Sequence, residues 1–73
     1  MSTFKVKGYD LTRKSDNKVF THAVVYRNIS GQQDTEPAAT FHVSMKLAET
    51  EAKRMAKRYW LEVQEIVEVE AVA

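Results

Sequence analysis

Hydrophobic and polar residues alternate along much of this chain, and the period lengthens once, in its second half. Residues 3–9 read Thr-Phe-Lys-Val-Lys-Gly-Tyr. Phe4 and Val6 fall on one side and Lys5 and Lys7 on the other, which predicts a strand over 3–11 with Gly8 weakening its interior as a candidate bulge. Arg13 to Asn17 is polar, and Ser15, Asp16 and Asn17 are turn formers, so a hairpin loop is expected there. Residues 18–28 carry the strongest strand signal, because Val19, Phe20, Thr21, Val24, Val25 and Tyr26 are β-branched or aromatic. Phe20, His22, Val24 and Tyr26 share one face of that strand, and Val19, Thr21, Ala23 and Val25 share the other. A strand apolar on both faces is expected to be central or covered on both sides.

Residues 28–38, which hold Gly31 and Pro37, are expected to form one long mobile loop. A third strand over 39–47 places Phe41, Val43, Met45 and Leu47 on one face. The period then becomes helical: Ala48, Ala52, Met55, Ala56, Tyr59 and Val63 recur near a spacing of about 3.6 and form one apolar stripe. Lys53, Arg54, Lys57 and Arg58 fall on the opposite arc, and Trp60 lies on the border. Thr50 is preferred to Ser44 as N-cap, since a start at Ser44 would cut the preceding alternation short. Leu61 would point into the basic arc of a regular helix, so the helix is expected to stop near Trp60 or Leu61. Residues 64–72 alternate as a last strand, with Val67, Val69 and Ala71 on one face and Glu68 and Glu70 on the other. One long helix over 48–70 is the rival reading, disfavoured by the β-branched run Ile66-Val67-Glu68-Val69. The expected architecture is β-β-β-α-β: an α+β domain with a small antiparallel sheet and one amphipathic helix packed on one face. The sheet's other face is expected to be partly solvated and to present Lys5, Lys7 and His42.

Length bounds this picture to a single domain spanning 1–73. A domain of that size buries about 60% of its unfolded surface and is marginally stable alone, which favours a homodimer or an obligate partner. The chain has no cysteine, which excludes a disulfide framework and a thiolate metal cluster. No signal peptide or apolar run of about 20 residues is visible, so a cytoplasmic protein with no membrane partner is expected. The net charge of +1 conceals an asymmetry. All 11 basic residues lie at or before Arg58 with six of the ten acidic ones, a balance of +5, and only Glu62, Glu65, Glu68 and Glu70 follow.

Catalytic chemistry is poorly supplied. His22 and His42 are the only histidines, and His42-Val43-Ser44 sets a base beside a hydroxyl without an elbow, an oxyanion loop or an orienting acid. His22, His42 and a carboxylate lack a short-range metal-ligand motif, so no metal site is expected. Two glycines cannot make a phosphate-cradling loop, and no cofactor is expected. Glu68 and Glu70 read as a solvated strand face rather than an acid–base pair.

The basic helix face is the best candidate site. Lys53, Arg54, Lys57 and Arg58 suit an acidic protein partner, with Arg58 and Trp60 as anchor residues of the kind that dominate interfaces. The alternative is a small nucleic-acid-binding module that neutralises phosphates with the same residues and stacks bases on Trp60 or Tyr9. A net charge of +1 is far from the strongly basic values of such modules. The expectation is therefore a small non-catalytic binding protein that docks on a protein partner.

The alternating strand, the Ala48-Glu49-Thr50 helix start, the Glu51-Ala52-x-x-x-Ala56 helix and the closing strand resemble a pattern in several small phage-encoded proteins. These include inhibitors of host RNA polymerase and some anti-CRISPR proteins. The resemblance covers residues 40–70, carries no binding residue across, and implies a phage or mobile-element inhibitor or modulator of a host protein.

Overall fold

The computed structural model describes residues 2–29 and 36–72. Its elements are β1 (Ser2–Val6), β2 (Thr12–Ser15), β3 (His22–Asn28), β4 (Ala38–His42), α1 (Met45–Ala56) and β5 (Leu61–Ala71). The strands form one antiparallel sheet in the order β2-β1-β5-β3-β4, and α1 crosses one face of it. The expected α+β architecture is present, with one strand more than the alternation showed. The last strand to be made lies in the middle: β5 pairs with β3 through most of its length and with β1 through Val69 to Ala71.

Two small apolar layers hold the sheet. On the helix side Val24, Ala48 and Met55 are buried, with Tyr26, Ala52, Leu61, Val63 and Ile66 packed around them. On the opposite side Val6, Ala23 and Val25 are buried among Tyr9, Leu11, Phe41, Val67 and Val69. Ala23, Val24 and Val25 are each 0% exposed, so β3 is covered on both faces as its composition predicted. Phe20, just before β3, folds over the face away from the helix and meets Phe4 and Phe41 edge-on, at centroid distances of 5.3 and 5.6 Å. That face is a second core, not the partly solvated surface expected. His42 belongs to the helix side, because Thr40 pairs with Val24 and His42 with His22 in the same register.

A register irregularity lies between Val25 and Tyr26: Val25 pairs with Glu65 and Tyr26 with Val63, leaving Gln64 as the extra residue. The bulge turns Leu61, Val63 and Ile66 all toward α1. Apolar spacings of two and then three residues resemble a helical stripe, which is why a continuous helix over 48–70 was a rival. The structure decides for the strand.

Several boundaries differ from expectation. The first strand ends at Val6, and Gly8 sits in a turn at φ 84°, a left-handed conformation open to glycine, rather than in a bulge. Part of the expected hairpin loop is β2, whose Thr-Arg-Lys-Ser sequence has no apolar residue to signal a strand and which, among the described residues, pairs only with β1. The third strand stops at His42, and Ser44, not Thr50, caps α1: its Oγ accepts the Leu47 amide at 3.2 Å. The Thr50 hydroxyl instead donates to the Lys46 carbonyl at 3.0 Å. Val43, Met45 and Leu47 are 43–49% exposed and form no inward strand face. The helix ends at Ala56 with Lys57 as its C-cap, so Tyr59 and Val63 do not extend its buried stripe. The loop expected over 28–38 lies mostly outside the described residues; Asn28 closes β3 and Ala38 opens β4. No helix among the described residues is long and apolar enough to cross a membrane.

Candidate functional site

Burial of Ala48 and Met55 sets the direction in which α1 faces the sheet. At about 100° per residue, Lys46, Thr50, Lys53 and Lys57 then project away from it in one row, with Arg54 beside them. Lys53, Arg54 and Lys57 are exposed there as expected. Lys46 is an addition; recognising Ser44 as the cap would have placed it on the helix instead of in the preceding strand. The Arg54 side chain is 65% exposed and lies 3.4 Å from Glu51, a surface pair that contributes under about 1 kcal/mol and leaves the guanidinium reachable. Lys53 and Arg54 occupy the last turn, where cations complement the helix dipole.

Arg58 and Trp60 lie beyond the helix, in the turn that leads into β5. The Arg58 amide donates to the Met55 carbonyl at 2.9 Å, and the Leu61 amide to the Arg58 carbonyl at 3.1 Å. The Ile29 amide donates to the Trp60 carbonyl at 2.8 Å and ties this turn to the end of β3. Within it the Arg58 guanidinium carbon stands 5.3 Å from the Trp60 ring centroid. The Tyr59 ring meets Trp60 at 90° and 5.1 Å. Tyr59 is 85% exposed and Trp60 is half-buried. The fold therefore joins Arg58, Tyr59 and Trp60 into one cation–aromatic corner beside the Lys53–Arg54–Lys57 row. Tyr59, assigned to the core stripe by its spacing, is a surface residue of this corner.

Tyr9 stands elsewhere. Its hydroxyl donates to the Glu65 carboxylate at 2.5 Å, and that bond, with further help from burial and the carboxylate's charge, raises the phenol above its ordinary range. It borders an open cleft of about 310 Å³ with Asp10, Leu11, Glu36 and Pro37.

The histidines do not meet the serine. His22 and His42 are cross-strand neighbours, each bonded at 2.8 Å to a threonine on its own strand or its approach, Thr21 and Thr40. The Ser44 hydroxyl is occupied as the helix cap. Burial lowers the His42 pKa, and the Glu51 charge partly opposes this. Among the described residues, no three His, Cys, Asp or Glu side chains are grouped to hold a metal ion.

No protein-family model matches this chain, and neither a curated protein nor a solved structure does.

Proposed function

We propose that this chain is a small binding domain that docks on an acidic surface of a protein partner through α1 and the turn that follows it. The observation that carries this reading is the Arg58–Trp60–Tyr59 corner, in which Arg58 and Tyr59 are exposed around a half-buried Trp60 whose carbonyl is bonded to the end of β3. Arginine, tryptophan and tyrosine are the residues that most often dominate interface energies. The Lys46, Lys53, Lys57 and Arg54 side chains beside it add positive charge that steers an acidic partner. If the covered surface of the partner is a working one, docking inhibits or modulates it, as the resemblance to small phage proteins implies.

Nucleic-acid binding through the same face is the second reading, and the openness of the Tyr59 ring favours it, since such a ring stacks on any base. Against it, Glu49 and Glu62 are exposed close by, the latter as the β5 partner of Arg27.

The test is a charge-reversed variant, with Lys53, Arg54, Lys57 and Arg58 each replaced by glutamate, compared with the original chain in partner capture. All four residues are exposed, so the circular dichroism spectrum is expected to be preserved while capture is lost. Unchanged capture by the folded variant overturns the reading. A bound fraction that is mainly nucleic acid and is released by salt supports the second reading instead.

A further inference from the structure

The two edges of the sheet are unlike. β2 carries Arg13 and Lys14, and charge of this kind on an edge discourages pairing with another chain. β4, the other edge, reads Ala-Ala-Thr-Phe-His and has neither a lysine nor a carboxylate. All five of its residues are half-buried, and among the described residues its outer side meets no further strand of the sheet. An edge of that composition is a ready template for an added strand.

The surroundings of β4 differ on its two sides. Ala39 and Phe41 face the core opposite the helix, opposite Val25 and Ala23. Ala38, Thr40 and His42 face the helix side. Above them stands the flank of α1 that carries Leu47, Glu51 and Arg54, which share one side of the helix by their spacing. α1 packs against β4, and the charge of Glu51 on this flank reaches His42. Leu47 is 49% exposed on this flank, Glu51 lies against Arg54, and the Arg54 guanidinium remains largely open.

We infer that β4 accepts an extended segment of the partner protein as a sixth strand, and that this segment alternates apolar and acidic side chains. The apolar ones lie beside Phe41 and Ala39. The acidic ones lie on the α1 side, toward Arg54. This rests on the docking function proposed above and names the form of the partner. A second copy of this chain fits less well. Five residues span about 16 Å, a short strip against the roughly 1,200 Å² or more that a stable dimer buries.

The test uses the full chain and capped, fluorescein-labelled octapeptides of alternating valine and glutamate. Anisotropy is expected to show saturable binding, with amide chemical-shift changes concentrated in residues 38–42. N-methylation of the alternate peptide amides on one edge is expected to weaken binding about tenfold or more, and on the other edge to leave it unchanged, because only one edge pairs with β4. A valine–lysine octapeptide is expected to bind at least about tenfold more weakly. Equal binding of both N-methylated peptides overturns the strand addition and leaves the basic docking surface standing. Equal binding of the glutamate and lysine peptides, or no binding of either, overturns both for this class of partner. Sedimentation of the chain alone as a dimer that the glutamate peptide does not dissociate assigns the edge to a second copy and overturns the proposal.

Discussion

Ile29 donates its amide to the Trp60 carbonyl at 2.8 Å, where β3 ends and β5 begins. The cation–aromatic corner is thus tied to the sheet by main chain. Tyr59, the more open of its two aromatic side chains, meets the Trp60 ring at a right angle. Tyr59→Ala is expected to change unfolding free energy by no more than about 0.5 kcal/mol, as read from urea midpoints. A larger loss would mean that the corner braces the fold rather than displaying a surface.

Met55 is the largest α1 side chain buried against the sheet. Met55→Ala removes a thioether from a layer whose other buried members are Val24 and Ala48 and leaves a gap among Tyr26, Ala52, Leu61, Val63 and Ile66. A cost of about 2–5 kcal/mol is expected. The whole domain holds about 4–11 kcal/mol by its size, so the urea midpoint should fall steeply and part of the population should be unfolded in water.

The helix start gives a cleaner comparison. Ser44→Ala leaves the Leu47 amide without its acceptor and is expected to cost about 1 kcal/mol. Thr50→Ala removes only a hydroxyl that bonds back to the Lys46 carbonyl, and alanine is the better helix former, so no loss is expected. Thermal melts of the two variants, run side by side, check the order.

His42 ties stability to pH. Burial holds its folded pKa below the ordinary value near 6.5, with Glu51 opposing in part. The unfolded chain therefore takes up a proton that the folded chain resists. The contribution is full above about pH 6.5 and is lost as pH falls toward the lowered folded value. Urea unfolding from about pH 7 to about pH 5 should show declining stability, and His42→Gln should flatten that decline.

Much of the fold was legible because burial leaves a pattern. Two apolar faces on residues 23–25 announced a strand covered on both sides, and Val67 and Val69 opposite Glu68 and Glu70 announced the closing strand. β2 left no pattern, since its order comes from main-chain pairing with β1 and its side chains are polar. The start of α1 was hidden by chance alternation: Val43, Met45 and Leu47 continue the period of Phe41, yet only Phe41 packs on the core. That misplaced start removed Lys46 from the basic face. Lys53, Arg54 and Lys57 were readable from helical spacing alone. The contact between Arg58 and Trp60 was not, because it depends on a turn closed by main-chain bonds, one of them from Ile29, distant in the chain.

The central claim is that the Arg58–Trp60 corner and the basic row receive an acidic protein surface. The single tryptophan reports on it directly. Trp60 fluorescence would be followed while the chain is titrated with the valine–glutamate octapeptide, duplex DNA and single-stranded RNA, at about 50 and about 200 mM salt. The account predicts a saturable change with the peptide that persists at the higher salt and disappears in Arg58→Glu. Tight binding of DNA or RNA that collapses as salt rises, with no response to the peptide, would contradict it.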